Sequence, residues 1–285
     1  MNDRPLPPRN WLVVSLVTVL MAVATGAVAL IGPGLATVAA GAVGVALLAA
    51  AVTVAVPDVL SEAWAEHRLY VYFSVGLFAF GGLLGVALFA AGVDLTELFL
   101  EALGEEFAPN EADPQAEFEL ELTASFFIVQ NTPPFLLSIA GALTLGLFTA
   151  LVMLLNGLLV GNIVLAMAGV AGVDFILVGL LPHGIFELPA LFVAAGVGFR
   201  LVHRFGQRLL GSRDSFVTKT YLYRTAIFVL FAWLLLVVAA FVEAYLTPAL
   251  LEALFAARLE ALFAARLEGM EPAAAVTAVF TDALQ

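Results

Sequence analysis

"LLPHGIFELPALFVAAGVGF", residues 180–199, is apolar enough to cross a membrane, yet it carries two ionisable groups, His183 and Glu187. At about 1.5 Å per residue, a helix entered at Asp174 or Phe175 puts His183 about 12 Å and Glu187 about 18 Å deep in a hydrocarbon core of roughly 30 Å. Four residues apart, they share one helix face, so a single buried cavity can see both. An ionised group at the bilayer centre costs roughly 2.5–3.5 kcal/mol on insertion scales, so it must be paired, neutralised or facing water. Pro182 and Pro189 bracket the pair, and Gly184 lies inside it. Each proline removes a backbone hydrogen bond, which predicts an interrupted or kinked helix at functional depth.

Working outward, the whole chain has the same character. Of its 285 residues 63 % are hydrophobic and 12 % charged, whereas soluble domains are about half apolar and a quarter charged. Windows long enough to span occur at roughly 11–31, 35–56, 69–92, 135–155, 157–172, 175–199 and 223–247. The fold class is therefore all-α, a polytopic bundle of about seven spans. The fifth window, with four glycines in 16 residues, reads either as a full crossing or as a re-entrant segment.

Charge sets the expected orientation. Arg4, Arg9, Arg68, Arg200, Arg204, Arg208, Arg213, Lys219 and Arg224 all fall on one side of a seven-span chain, which predicts a cell-membrane protein with a cytoplasmic N-terminus and an outside C-terminus. The absence of cysteine excludes a disulfide framework, a thiolate nucleophile and sulfur-ligated metals. With 11 basic against 23 acidic residues, the chain is a poor partner for nucleic acid, and the composition matches a halophilic cell.

Two segments lie outside the spans. Residues 93–121 open as an amphipathic helix, with Leu95, Leu98, Phe99 and Leu103 at helical spacing, and pass into an acidic turn from Pro109 to Pro114; the charge rule places them outside the cell. The tail carries a perfect duplication, "LEALFAAR" twice, from Leu251 to Arg266. Its residues all favour helix, and an eight-residue step turns roughly 80° beyond two full turns, which argues against a coiled-coil seam.

Partners for the ionisable pair stand elsewhere in the chain: Asn131 in "FFIVQNTPPF", Asn156 and Asn162 in "LLNGLLVGN", and Glu243 in "AAFVEAYLTP". Pro133 and Pro134 predict that the helix entering from residue 118 bends or stops there. The six polar residues form the expected buried cluster; Pro133, Pro134, Pro182, Gly184 and Pro189 are the expected helix-interrupting positions. Metal-protease spacing is absent, because "HGIFE" has no second histidine four residues on, and no nucleophile sits in a serine-hydrolase context. No enzyme activity, metal or cofactor is expected.

The stretches "FFIVQNTPPFLLSIAGALTLGLFTALVMLLNGLLVGN", "LLPHGIFELPALFVAAGVGFRL" and "AAFVEAYLTP" resemble, in order and spacing, the stage II sporulation protein M (SpoIIM) family over roughly residues 65–250. The resemblance assigns Asn131, Asn156, Gly157, Pro182, His183, Gly184, Glu187 and Glu243 to the family signature. It implies a non-enzymatic membrane protein; the namesake anchors and recruits cell-wall hydrolases at the septal membrane during engulfment. On this reading residues 1–64 form an added two-helix hairpin, 65–250 the family core with its acidic insert at 93–121, and 251–285 an amphipathic tail. Two functions follow as expectations. The first is a scaffold in the lipid bilayer that recruits an extracytoplasmic or membrane protein partner, its spans permitting a homodimer. The alternative is a transporter or channel that uses His183 and Glu187 as an intramembrane ion, proton or substrate site.

Overall fold

The computed structural model describes residues 9–30, 36–95 and 122–268. Among them the chain forms helices and no strand. The order is α1 (Arg9–Ala29), α2 (Ala36–Ala55), α3 (Pro57–Ala90), α4 (Ala124–Ala140), α5 (Leu147–Ala171), α6 (Val173–Leu209), α7 (Lys219–Phe241) and α8 (Thr247–Glu268). A 3-10 turn, Gly141–Thr144, follows α4, and a π turn, Val242–Leu246, joins α7 to α8. Seven of the described helices are long and apolar enough to cross a membrane. Most of the amphipathic segment expected at 93–121 lies outside the described residues.

Of the two outcomes expected at the prolines, a bend or a stop, the stop does not occur. α4 runs through Pro133 and Pro134, and α6 runs unbroken through Pro182, Gly184 and Pro189. Hydrocarbon offers no hydrogen-bonding solvent, so a helix that loses one bond at a proline keeps the rest of its ladder closed. The break falls at Leu145 and Gly146, both left-handed (φ 55° and 84°), where glycine adopts that backbone without steric cost. Thr144 Oγ1 then accepts from Phe148 N at 3.0 Å and starts α5. The fourth span is thus Ala124–Thr144 and the fifth Leu147–Ala171, not 135–155 and 157–172. The apolar run is continuous across the turn, so hydropathy does not mark it.

The described chain divides into two compact units: residues 1–77, 123–153 and 180–249, and residues 78–122, 154–179 and 250–285. In the first unit α1 packs on α2, and α7 packs on α2 and α4. Leu234 through Ala240 of α7 are all buried. Val152, Met153, Leu191 and Ala195 form a further apolar core, against which Leu77, Phe192 and Phe199 pack.

One end of this unit is tied by ion pairs. Glu66 Oε1 accepts from Arg200 at 3.1 Å and from Arg204 at 2.9 Å. Arg204 also donates to Phe216 O at 3.0 Å and lies 3.7 Å over the Tyr221 ring. His67 stacks on the other partner of this group, Tyr221, and bonds Ala63 O at 2.7 Å through Nδ1. Tyr70 bonds His203, and Arg224 pairs with Glu62. α3, α6 and α7 are thereby pinned at one level, which fixes the rotation of α6 about its axis.

In the second unit α3 and α5 cross almost backbone to backbone. A Cβ on Gly85 would collide with Leu158 O, one on Gly157 with Phe78 O, and one on Gly161 with Gly82 O. Small residues at this spacing are how helices approach closely in lipid. Asn162 closes the end of the crossing: its Nδ2 donates to Gly85 O at 3.1 Å and Val93 O at 2.9 Å, and its Oδ1 accepts from Leu95 N at 2.8 Å. Arg258 of α8 donates to Ala171 O at 3.0 Å and pairs with Asp174 at 2.8 Å.

Two outcomes follow. Gly161→Ala overpacks a site with no room and is expected to cost roughly 1–3 kcal/mol, read as a lower unfolding midpoint in an SDS titration from mixed micelles. Arg204→Ala takes one of two cations from the half-buried Glu66 and is expected to lower the midpoint in the same titration by more than Arg224→Ala does at the half-exposed pair with Glu62.

Candidate functional site

α6 and the π turn each bring ionisable groups to one place in the first unit. On α6 the four-residue spacing puts His183 and Glu187 on the same face. The third group, Glu243, lies in the π turn, where Thr247 N–H bonds back to Val242 O, five residues earlier. The cause is Pro248, which has no N–H to give and whose ring would clash with the carbonyl four residues before it. The helix widens by one residue to accommodate the proline. Such single π turns recur at functional sites because they re-aim one side chain within an otherwise regular helix.

One ligand-capable atom from each of His183, Glu187 and Glu243 lies within 4.8 Å of the others. His183 is buried, 8 % exposed, and its Nδ1 has no hydrogen-bond partner. Glu243 Oε2 is likewise buried without a partner, while the two glutamate residues as a whole keep partial exposure. Ionised carboxylates this close in an apolar surround repel each other, so a proton or a cation between them would lower the energy of the arrangement. Unpartnered buried polar atoms are few in a folded chain; besides His183 Nδ1 and Glu243 Oε2, Arg200 Nε, Arg204 Nη2 and Thr247 Oγ1 are the ones found among the described residues.

Three of the six residues expected in the buried cluster therefore come together. Asn162 belongs to the second unit, where its carboxamide is engaged by the backbone of Gly85, Val93 and Leu95. Asn131 is a half-buried residue of α4, next to Thr132, whose hydroxyl accepts from Trp233 Nε1 at 3.4 Å, and Asn156 lies on α5 in the second unit. Sequence spacing could not assemble the trio as a ligand set, because its third member comes from another helix and its aim depends on the π turn. The sequence did hold one signal for it: Pro248, five residues after Glu243.

A separate cavity of about 660 Å³ opens in the first unit beside this face of α6. Trp11, Trp64, Tyr72, Phe186, Pro189 and Phe231 are among its lining residues, and none of the three ionisable residues lines it. Its wall is almost wholly apolar; Trp11 Nε1 is taken by Ser61 Oγ at 2.9 Å.

Fold and site together define a polytopic α-helical membrane protein with an ionisable centre inside its spans. The profile of the family described as Stage II sporulation protein M (SpoIIM) matches residues 73–248, and the chain belongs to that family. It is also similar to an uncharacterized protein of Methanocaldococcus jannaschii, 30 % identical over 122 residues, which are 42 % of this chain and 68 % of the relative. No solved structure matches it.

The native chain has no cysteine, so proximity is directly testable. Glu187→Cys with Glu243→Cys is expected to cross-link with a bifunctional thiol reagent longer than the 4.8 Å within which the native ligand atoms lie, because each cysteine sulfur stops two bonds short of the carboxylate oxygen it replaces. Adding Pro248→Ala removes the cause of the π turn and is expected to weaken that cross-link several-fold, read as band intensity on a gel.

Proposed function

We propose that this SpoIIM-family protein handles a cation or proton within the cell membrane, as a transporter or channel, through the centre formed by His183, Glu187 and Glu243. The observation that carries this reading is the pair of buried, partnerless atoms, His183 Nδ1 and Glu243 Oε2, beside a second carboxylate. An intramembrane ionisable group marks an ion or proton path by default, and here three converge. The orientation that goes with it has the N-terminus in the cytoplasm and the C-terminus outside, following the positive charges. The chain performs no bond-making chemistry on this reading.

A second reading is a scaffold that anchors or recruits partner proteins, alone or as a homodimer. Membership of the SpoIIM family supports it, as does the acidic segment at 93–121, whose net negative charge suits a basic partner. On that reading the ionisable centre holds helices together.

Reconstitution separates the two. In liposomes under an imposed pH gradient, wild type is expected to dissipate the gradient, and Glu187→Gln and Glu243→Gln to slow this by at least about tenfold while eluting as folded, monodisperse protein. Wild-type liposomes as tight as empty ones to protons and to added cations, together with variants that aggregate, would sink the transport reading and leave the scaffold.

A further inference from the structure

We infer that His183, Glu187 and Glu243 form the binding site of one divalent first-row transition-metal cation, of the zinc or manganese kind. The inference rests on reading this centre as an ion site and narrows which ion it takes.

The donor set argues first. One imidazole nitrogen and two carboxylates are the ligands that such metals accept, with no sulfur to favour copper(I) or an iron–sulfur cluster. Calcium wants six to eight oxygens and magnesium keeps most of its own waters in a near-ideal octahedron, so three groups with one nitrogen fit neither well. Charge argues second. Two carboxylates present two negative charges, which a divalent cation cancels and a monovalent one does not.

Geometry argues third. The three ligand-capable atoms already lie within 4.8 Å of one another, while bonds of about 2.0–2.1 Å place the donors of a tetrahedral site roughly 3.3 Å apart. Side-chain rotation in two glutamates, each with three rotatable bonds, is the means by which that difference would close. The buried His183 Nδ1 and Glu243 Oε2 have no other partner to give up. Three protein ligands leave an open coordination position, as in sites where the fourth ligand exchanges. Such incomplete coordination suits an ion that must also leave, since conduction requires binding that is favourable but not final.

The test uses the full chain in detergent, stripped with EDTA and desalted. Zinc chloride or manganese chloride alone is added, and bound metal is counted by mass spectrometry after a second desalting, beside a thermal-shift measurement. One metal per chain and a higher melting temperature are expected for wild type. Glu243→Gln and Glu187→Gln are expected to lower the affinity by at least about tenfold. His183→Gln serves where His183→Ala fails to fold. Metal that stays bound equally well in all three variants lies elsewhere and overturns the inference, as does a wild-type chain that retains none. The two proposals fail separately. Proton flux that needs Glu187 without any bound metal overturns the metal site and keeps transport. Stoichiometric metal with no flux of any ion keeps the site and overturns transport.

Discussion

Hydrocarbon supplies no hydrogen bonds, and that constraint organises this protein from the backbone outward. Each spanning helix must close its own ladder, which is why α4 and α6 continue through prolines that would end a helix in water. Side chains follow the same rule. Thr18, Thr25 and Ser74 return their hydroxyls to the carbonyl four residues earlier, and Asn162 spends its carboxamide on three backbone groups. Not every buried atom is satisfied in this way: His183 Nδ1 and Glu243 Oε2 have no partner, and neither do Arg200 Nε, Arg204 Nη2 and Thr247 Oγ1.

The fold uses two means of holding helices together, one in each unit. In the second unit glycines remove side-chain bulk, so that α3 and α5 gain contact through their backbones. In the first, aromatic rings and a shared carboxylate join α3, α6 and α7, and the two arginines on Glu66 set the direction in which α6 faces. The ionisable centre depends on that second arrangement. His183 and Glu187 are about four to six turns along α6 from Arg200 and Arg204, on a helix whose rotation those arginines hold. Packing and electrostatics at one level thus determine what is presented at another.

Much of this was legible in the residues. Apolar windows sufficed to count the spans, because length and hydropathy are what a membrane selects for. The four-residue spacing sufficed to put His183 and Glu187 together. Other features depended on geometry that composition does not carry. The turn at Leu145 and Gly146 sits within an unbroken apolar run. Asn162, expected in the cluster, spends its carboxamide on the backbone of Gly85, Val93 and Leu95, since an asparagine serves a stray backbone carbonyl as readily as a buried carboxyl. Arg204, only 2 % exposed, looked like a cytoplasmic-edge charge until Tyr221 and Glu66 were seen to enclose it. Glu243 was recognisable as a candidate, but its meeting with α6 needed the π turn.

The duplicated octapeptide has a consequence for how this chain can change in length. Phe255 packs edge-on against Phe175, and Arg258 ties α8 to Asp174 and Ala171, all within the second unit. Both anchoring residues belong to the first copy, Leu251–Arg258. Removing either copy produces one and the same polypeptide, in which positions 251–258 still read LEALFAAR. Replication slippage at this repeat therefore shortens or lengthens the tail in steps of about two helical turns while leaving its attachment untouched. The tail is a part whose reach can evolve independently of the membrane core.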